Sequence, residues 1–507
     1  MVKEFGDFQT NLDFAEVVCK LLKNKGINPK IAIEPTCGEG NFIVASLKHF
    51  SRLQQVMGIE LQKGYVSKSK INLENYKKNT KSNIPNISVI QDDIFLHDFN
   101  KDSLDKDSEI LLIGNPPWVT NSELEGKNLP KKSNFKKTNG LDAITGKANF
   151  DISEYILLHL LKQFKGMNGH LAFLCKTQVV KNIIQFLPET DFTASNFSIY
   201  LFNAKKEFNV VVDACLFVCN LNGTEKNYKC KVYNIENPNI EIKIFGWVDD
   251  KFVSNVKKYE QTKGIDGISN LTWRSGVKHD CSDVMELEIY NDIGLKNKLN
   301  EILRLEEDIL YPFLKSSYIK GLVINHSRKK IIITQKKTGE DTLPISTLYP
   351  NIWQYLTSHK ESFDNRKSII YKKNPPFSIF GIGDYSFKPY KIAISGLYKD
   401  PHFALLIPEG NKCLMVDDGC YFIGFDNVRD ALIMLAVLNS TLVKDFLDSI
   451  AFIDAKRPYT KDILMRISLS KALHKVGYTG ITNYLNANNI KFEDITQQNF
   501  DEFADSI

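Results

Sequence analysis

No regular spacing of cysteine or histidine occurs in this chain. The nine cysteines and nine histidines are scattered over 507 residues, whereas zinc sites and disulfide frameworks need paired or repeated spacings. The odd number of cysteines indicates a reducing compartment, and none of them stands in a motif typical of a nucleophile. We therefore expect no metal site and no covalent catalysis by a thiol.

Long apolar runs are absent as well. No uncharged stretch approaches the roughly 20 apolar residues that a membrane-spanning helix requires, and residues 1–5 show no signal-peptide pattern. The formal net charge of +5 permits nucleic-acid binding but does not by itself indicate it. A length of 507 residues with 43% hydrophobic content suffices for two or three domains. We expect a cytoplasmic prokaryotic protein without membrane contact.

The clearest local signal is the motif Asn115-Pro116-Pro117-Trp118. It follows residues 109–114, a short apolar run typical of a buried parallel strand. The two prolines hold the turn rigid, so the Asn115 amide oxygen and the following carbonyl can accept two hydrogen bonds from one planar –NH2 group. The ring of Trp118 can stack on the ring that bears this amine. The motif predicts a site that binds an exocyclic amine and polarises its nitrogen lone pair.

A near copy of this motif, Asn374-Pro375-Pro376-Phe377, serves as an internal control. It follows Tyr371-Lys372-Lys373 rather than a buried strand, and no glycine-rich loop precedes it at a suitable distance. We predict that the second copy is an ordinary turn. The interpretation of the first copy therefore depends on what lies upstream of it.

A glycine-rich loop lies upstream of the first copy, between Lys30 and Phe42. A strand of alternating Ile and Ala leads into Gly38 and Gly40, which let the backbone pass close to a ligand, and a helical pattern follows. The third glycine of a dinucleotide fingerprint is missing. Glu34, at the strand tip, would repel a phosphate but suits a ligand with a cationic amino-acid portion.

Further acidic residues follow the next two predicted strands. Glu60 ends the strand at 56–60 and can accept hydrogen bonds from both ribose hydroxyls. Asp92 or Asp93, after the strand at 87–91, can accept from an adenine amine. Because ligands bind at the carboxyl edge of such sheets, these residues together describe S-adenosylmethionine as the cofactor. The sequence does not separate Asp92 from Asp93.

In this order, the motifs resemble the gamma class of DNA adenine-N6 methyltransferases of type II restriction–modification systems. The resemblance covers roughly the first 220 residues and implies a Rossmann-like, mostly parallel α/β fold. The cofactor-binding positions that it implies are Phe8, Thr10, Glu34, Pro35, Cys37, Gly38, Gly40, Phe42, Glu60, Asp93 and Asn115, with Cys37 packing inside the loop.

The resemblance also implies a catalytic mechanism. An adenine in duplex DNA must be flipped out of the stack, and Asn115 and the Pro116 carbonyl would then accept its two N6 hydrogens. Trp118 stands where the family more often has Tyr or Phe, so no phenolic hydroxyl is involved. The family places a second aromatic residue, here Phe208, around the flipped base, just before the strand predicted at 210–219. Cytosine N4 presents the same amine, but Pro at the second position with an aromatic residue at the fourth favours adenine.

The alternation of strands and helices ends near residue 225. We assign residues 1–225 to the catalytic domain, 226–264 to a connector and 265–507 to an α+β domain for DNA target recognition. Basic residues beside the amine motif and in basic–aromatic clusters of the last region can contact phosphates or base edges. These candidates are Lys131, Lys132, Lys136, Lys137, Lys147, Arg274, Lys278, Lys391, Lys456 and Arg457.

Other interpretations of the same pocket remain open. Release-factor glutamine methyltransferases use a similar motif but are usually compact, and ribosomal RNA base methyltransferases are a further alternative. A nuclease–methylase fusion is usually longer, and no convincing Pro-Asp…Glu-x-Lys segment precedes residue 30. A DNA-binding subunit with a vestigial pocket would have no reason to keep Asn115, Pro116 and the glycine loop. We expect a monomeric enzyme that methylates adenine N6 at a short duplex site and is functionally linked to, though not necessarily bound by, a cognate restriction endonuclease.

Overall fold

The chain forms two compact units, Met1–Val256 and Lys257–Ile507. The computed structural model describes residues 8–80, 84–99, 104–105, 108–119, 151–223, 226–290, 294–491 and 495–507. Within these ranges, no helix is both long enough and apolar enough to cross a bilayer. Five predicted DNA contacts lie outside the described residues: Lys131, Lys132, Lys136, Lys137 and Lys147.

Strands and helices alternate along most of the first unit. Its helices are α1 Leu12–Asn24, α2 Asn41–His49, α3 Lys63–Asn79, α4 Ile152–Gln163, α5 Thr177–Phe186 and α6 Ala204–Phe208. Its strands are β1 Ile31–Glu34, β2 Gln55–Glu60, β3 Asn86–Gln91, β4 Ile110–Gly114, β5 Gly169–Lys176, β6 Ser195–Asn203, β7 Asp213–Asn220, β8 Lys229–Asn234, β9 Lys243–Val248 and β10 Lys251–Val253.

These ten strands form one sheet in the order β10-β9-β8-β6-β7-β5-β4-β1-β2-β3. Five adjacent strands of this sheet are parallel to one another, namely β5, β4, β1, β2 and β3. Strand β7 runs antiparallel to both of its neighbours, β5 and β6. Every residue of β1 and β4 is buried, as expected for central parallel strands with apolar runs. Parallel pairing brings Glu34, Glu60, Asp92 and Asn115, which end or follow these strands, to one edge of the sheet.

Helix α1 holds the N-terminal segment beside this edge. The helix begins where the Asn11 side chain accepts a hydrogen bond from the Phe14 N–H at 2.8 Å. Its buried face, including Phe14, Val18 and Leu22, packs in the same core as Phe42 of α2. Burial of each such side chain stabilises the fold by about 1.5–3 kcal/mol. The segment just before Asn11 is therefore fixed next to the glycine-rich loop.

The structure differs from the prediction of a connector at residues 226–264. Strand β8 pairs parallel with β6, and β9 and β10 continue the sheet as antiparallel neighbours. In β8, Cys230 and Val232 are buried while Lys231 is exposed. A high content of Asn and Lys on the outward positions hid this short alternation. The boundary between the compact units falls after Val256, inside the predicted connector, but the residues of that connector up to Val253 belong to the first sheet.

The second unit is α+β, as predicted. Its helices are α7 Val256–Thr262, which begins at the boundary residue, α8 Ser282–Met285, α9 Ile345–Leu348, α10 Pro350–Ser358, α11 Lys360–Asp364, α12 Val428–Leu438, α13 Thr441–Ile450, α14 Lys461–Met465, α15 Leu469–Ala487 and α16 Gln497–Asp505. Its strands are β11 Arg274–Ser275, β12 Glu286–Tyr290, β13 Gly294–Lys296, β14 Ile302–Leu303, β15 Leu310–Leu314, β16 Val323–Ile324, β17 Lys329–Ile332, β18 Tyr390–Ser395, β19 Phe403–Leu406, β20 Met415–Val416 and β21 Cys420–Phe425.

Two sheets organise this unit. One has the order β11-β21-β18-β19-β16 and the other the order β14-β13-β12-β17-β15-β20. Two consecutive helices of this unit, α12 and α13, are separated by two residues. The division falls at Asn439, whose side chain bonds to the backbone N–H and C=O of Phe403, and at Ser440, which caps α13.

Candidate active site

One pocket opens at the carboxyl edge of the first sheet. It is formed by residues 8–10 and by the loops that follow β1, β2, β3 and β4. Gly40 is absent from the lining, and every other predicted cofactor residue is present there: Phe8, Thr10, Glu34, Pro35, Cys37, Gly38, Phe42, Glu60, Asp93 and Asn115. The order of motifs along the sequence is thus converted into a single concave site.

The glycine-rich loop needs both of its glycines for steric reasons. Gly38 has φ +50° and Gly40 has φ +79°, a region that other residues rarely adopt. A Cβ atom on Gly38 would clash with the side chain of Gln9, and one on Gly40 would clash with Ser69. Gly38 therefore shapes the pocket wall, whereas Gly40 allows the loop to pack on α3.

Two carboxylates hold this loop. Glu60 accepts hydrogen bonds from the N–H groups of Gly38 at 2.9 Å and Gln62 at 2.8 Å, one on each oxygen. Since a carboxylate oxygen has two lone pairs, Glu60 keeps acceptor capacity for ribose hydroxyls. Glu34 is buried and accepts from the Ile43 N–H at 3.2 Å.

The buried Glu34 suits a cationic ligand group. Burial raises the pKa of its carboxyl well above the usual range, and the nearby Glu60 raises this pKa further, against the effect of the Ile43 N–H. A positive charge in the pocket would favour the ionised carboxylate. The ammonium group of S-adenosylmethionine satisfies this requirement, and the acceptors on Glu60 and Asp93 suit its hydroxyl and amine donors. The residues present therefore fit this cofactor.

Asp92 and Asp93 differ in how much acceptor capacity remains. Asp92 accepts from the Asp93 N–H at 2.8 Å with one oxygen and contacts His97 Nδ1 at 2.8 Å with the other. The hydrogen bond with His97 lowers the pKa of Asp92. Asp93 uses one oxygen to accept from the Phe95 N–H at 3.0 Å. Both line the pocket, and the local engagement of both Asp92 oxygens favours Asp93 as the adenine acceptor.

The amide of Asn115 is oriented by the N-terminal segment. Its Nδ2 donates to the Phe8 carbonyl at 2.8 Å and to Thr10 Oγ1 at 3.2 Å. These two acceptors define which end of the amide is the oxygen. Asn115 Oδ1 is buried and has no hydrogen-bond partner among the described residues. A buried acceptor without a donor is costly, so this atom is suited to receive a donor from a ligand.

Trp118 lies deeper than the sequence suggested. It is 4% exposed, and its indole Nε1 donates to the Leu174 carbonyl at 3.4 Å. Its ring centroid lies 5.8 Å from that of Phe8 and 5.2 Å from that of Phe208. These three residues form an aromatic cluster, and a base can reach the face of Trp118 only if one of the other two rings moves. Pro116 is also buried, whereas Pro117 lines the pocket.

Several lining residues escaped the sequence analysis. Gln9 accepts from the Glu39 N–H at 3.1 Å, and Asn41 donates to the Thr10 carbonyl at 2.8 Å, so both tie the N-terminal segment to the glycine-rich loop. Phe95, two residues after Asp93, was the one with a local signal, an aromatic residue just beyond an acidic strand end. The lining residues that were missed are Gln9, Thr36, Asn41, Leu61, Gln62, Tyr65, Ile94, Phe95, Val119, Ile152 and Ile156.

The predicted DNA contacts of the second unit have different surroundings. Arg274, Lys278 and Arg457 line a common cavity, and Lys456 is exposed. The structure corrects the prediction for Lys391, which is 1% exposed. Its Nζ donates to the carbonyls of Lys388 at 3.0 Å and Leu414 at 2.9 Å. This lysine lies in β18, where the strand pattern buries it, so it cannot contact DNA.

No cluster of three or more His, Cys, Asp or Glu side chains within the described ranges could hold a metal ion. The nine cysteines are all buried and free. Burial raises the pKa of the Cys37 thiol in the glycine-rich loop, so this thiol is protonated at neutral pH and packs against the loop.

The fold and pocket define an S-adenosylmethionine-dependent methyltransferase, and comparison with known proteins narrows the class. The chain is 42% identical over 473 residues to the type II methyltransferase M.NspV of Nostoc sp. (strain ATCC 29411 / PCC 7524), covering 92% of this chain and 96% of that protein. The structure of the present chain shares the fold of the type IIL restriction-modification enzyme MmeI, whose structure is known in complex with DNA. That likeness has a TM-score of 0.54 at 14% identity and covers 98% of this chain and 73% of the other. No protein-family profile matches the chain.

The protein belongs to the type II methyltransferases of restriction–modification systems, which methylate DNA at specific sites. The predicted class of enzyme, α/β fold and cofactor are thereby confirmed.

Proposed function

We propose that the protein methylates the N6 atom of an adenine flipped out of duplex DNA. The observation that carries this proposal is the buried Asn115 Oδ1, an acceptor without a partner in the described part of the chain. It borders a pocket whose other polar groups suit S-adenosylmethionine. An exocyclic amine has the planar pair of donors that Asn115 Oδ1 and the following carbonyl can accept.

The chain contributes orientation more than acid–base chemistry. S-adenosylmethionine, when bound, supplies an electrophilic methyl group. Asn115 Oδ1 and the Pro116 carbonyl accept hydrogen bonds from the two N–H groups of the amine and direct the nitrogen lone pair toward that methyl group. The Phe8 carbonyl and Thr10 Oγ1 prevent the amide from turning over. Such positioning accounts for a large part of the barrier reduction in group transfer.

The aromatic cluster of Phe8, Trp118 and Phe208 supplies the rings that contact the flipped base. Phe8 and Phe208 are half-buried, and their ring centroids lie 6.3 Å apart. Movement of either ring would expose a face of Trp118 for stacking on adenine. Phe208 ends the short helix α6 and lies next to an αL residue, Asn209, so a small change at the end of this helix would suffice.

The proposal extends to the partners of the enzyme. The substrate is duplex DNA in the cytoplasm of a prokaryote, and methylation protects it from a cognate restriction endonuclease that need not bind this protein. The second unit recognises the DNA target, with Arg274, Lys278, Lys456 and Arg457 as contacts. A single catalytic pocket and a large recognition unit in one chain favour a monomer.

The decisive experiment measures methyl transfer from labelled S-adenosylmethionine to duplex DNA, followed by nucleoside analysis. We expect N6-methyladenine in DNA and none with Asn115→Ala. RNA and a protein extract serve as competing substrates in the same assay. Label in RNA or in a glutamine side chain would contradict the DNA assignment, and N4-methylcytosine would contradict the choice of base. Absence of transfer to every substrate would support the vestigial-pocket alternative.

A further inference from the structure

A second cavity of interest lies entirely within the second unit. We call it the basic cavity and define it by six of its lining residues: Trp273, Arg274, Lys278, Tyr385, Arg457 and Lys461. These residues come from three distant parts of the sequence. Pairing of β11 with β21 places Arg274 opposite Phe422, and it is this fold, not sequence proximity, that gathers the cations.

The basic cavity has an excess of positive charge. Four of its lining residues are cationic, and the lining contains one carboxylate, Asp418. Asp418 is held by Arg457, whose guanidinium donates to the Asp418 carbonyl at 3.1 Å and lies 3.8 Å from its carboxylate. Lys278 lies 2.8 Å from the carboxylate of Asp280. Within the described ranges the ion pairs of the cavity are those of Lys278 and Arg457, whereas Arg274 and Lys461 form none. Their charges are therefore available to a ligand.

Two of these groups are already positioned for a ligand. The Arg274 guanidinium lies 4.8 Å over the Tyr385 ring, which restricts the orientation of its donors. Trp273 is completely buried, and its Nε1 is a buried donor without an acceptor among the described residues. Buried indole N–H groups normally have a partner. An acceptor supplied by a ligand in the cavity would satisfy it.

We propose that the basic cavity binds a phosphodiester group of duplex DNA, an inference that rests on the proposed function. A phosphate presents only acceptors, which matches the indole, guanidinium and ammonium donors. Base edges present donors as well, and the one carboxylate that could accept from them is engaged by Arg457. About half or more of protein–DNA hydrogen bonds are made to the backbone. The cavity therefore sets the position of the DNA and does not select its sequence.

The test is the salt dependence of DNA binding by the full chain. Fluorescence anisotropy, in the presence of S-adenosylhomocysteine, would compare a duplex that contains the methylated site with one of equal length that lacks it. We expect Arg274→Gln and Lys461→Gln each to weaken the binding of both duplexes by the same factor. Each should also reduce the slope of log K against log salt concentration by about 0.9 between about 50 and 200 mM KCl. Trp273→Phe should weaken the binding of both duplexes about tenfold without changing the salt slope, because it removes a hydrogen-bond donor and no charge.

Lys320→Gln provides the matched control. Lys320 is exposed and precedes β16, at the opposite edge of the five-stranded sheet from β11, so the same loss of charge should leave the slope unchanged. Thermal unfolding of each full-chain variant, followed by circular dichroism, shows whether the second unit is folded, and calorimetry of S-adenosylhomocysteine binding shows whether the first unit is intact.

Three outcomes would overturn the assignment of the basic cavity. Unchanged slopes for both Arg274→Gln and Lys461→Gln would exclude a phosphate contact. Weaker binding of the site-containing duplex alone, with relaxed base preference, would indicate base recognition instead. Failure of the proposed function is distinguishable, because the unmodified protein would bind DNA without forming N6-methyladenine while the slopes still decide the cavity. Absence of any DNA binding would overturn both proposals.

Discussion

Several buried side-chain atoms in each unit have no hydrogen-bond partner among the described residues. They include one atom of opposite kind in each candidate site, the acceptor Asn115 Oδ1 in the first unit and the donor Trp273 Nε1 in the second. The first lies among carboxylates such as Glu34 and Glu60, whereas the second lies among cations such as Arg274. Each site therefore complements its proposed ligand, with an acceptor for amine donors in the first case and donors for phosphate acceptors in the second.

The two copies of the Asn-Pro-Pro-aromatic motif also differ in their hydrogen-bond partners. Asn115 donates to distant residues and leaves its oxygen free, whereas Asn374 donates locally to the Ile370 carbonyl at 2.7 Å. Phe377, which ends the second copy, is buried in the core with Phe363. The second copy is a turn, as predicted, so the motif acquires chemistry only from its surroundings.

Replacement of the amide should have the largest effect. We expect Asn115→Ala to reduce the rate of methyl transfer on the order of 10²–10³-fold, as for other preorganised groups that stabilise developing charge. Binding of S-adenosylmethionine should change little. Single-turnover transfer and calorimetry measure the two quantities. The matched control, Asn374→Ala in the second copy, should transfer at the normal rate, and loss of cofactor binding in Asn115→Ala would contradict this division of roles.

A methyl group added to the glycine-rich loop should weaken the binding of the cofactor. In Gly38→Ala, the positive φ is strained, and the new Cβ forces Gln9 to give up its bond from Glu39. We expect the affinity for S-adenosylmethionine to fall about 10- to 100-fold, as measured by calorimetry. Gly64→Ala is the control, since a Cβ there, within α3, meets nothing within 4 Å. That variant should instead be more stable by about 0.5–1 kcal/mol, and equal effects of the two would refute the steric argument.

Lys391 is a buried lysine with a structural role, in contrast to the proposed DNA contacts of the second unit. Burial lowers the pKa of this lysine, and its ammonium satisfies the carbonyls of Lys388 and Leu414. We expect Lys391→Met to lower the free energy of unfolding by about 1–3 kcal/mol, because two buried acceptors lose their donor. Urea unfolding measures this effect, and the salt slope of DNA binding should not change. A shallower slope would return Lys391 to the DNA contacts.

The affinity for S-adenosylmethionine should depend on pH through Glu34. Burial raises the pKa of this carboxyl in the free protein, and a bound ammonium group favours its ionised form, so binding releases a proton. Affinity should therefore fall as the pH decreases below the raised pKa, by at most about tenfold per pH unit. Calorimetry across about pH 5 to 8 in buffers of different ionisation enthalpy detects the proton. Glu34→Gln should flatten the profile, and an unchanged profile would exclude this carboxyl.

The hydrogen bond from Asn115 to Thr10 should have the smallest effect. Thr10→Val removes one of the two acceptors that orient the amide, and the Phe8 carbonyl remains. We expect a decrease of about fivefold in the transfer rate, close to the net value of one hydrogen bond. Thr10→Ser keeps the hydroxyl and should restore the rate, and a rate for Thr10→Val equal to that of the unmodified protein would show that the Phe8 carbonyl suffices.

Much of the first site could be predicted from the sequence. Glu34, Glu60 and Asp93 each follow a short apolar run, and parallel strands with such tips share one edge. Gly38 was predictable because its positive φ and close approach restrict the residue type. The strands at 226–264 were missed because they are short, and only two residues of β8, three of β9 and one of β10 are buried.

Local motifs located the cofactor pocket, because strand tips and tight loops are set by local backbone chemistry, and the resemblance of these motifs to a known family indicated the class of enzyme. Only the tertiary structure decided the orientation of Asn115, whose partners Phe8 and Thr10 lie 107 and 105 positions away. It also decided that Lys391 is buried while Arg274 is exposed, although both stand in basic–aromatic segments. Burial and hydrogen-bond partners depend on which distant strands pair, and a local pattern does not contain that information.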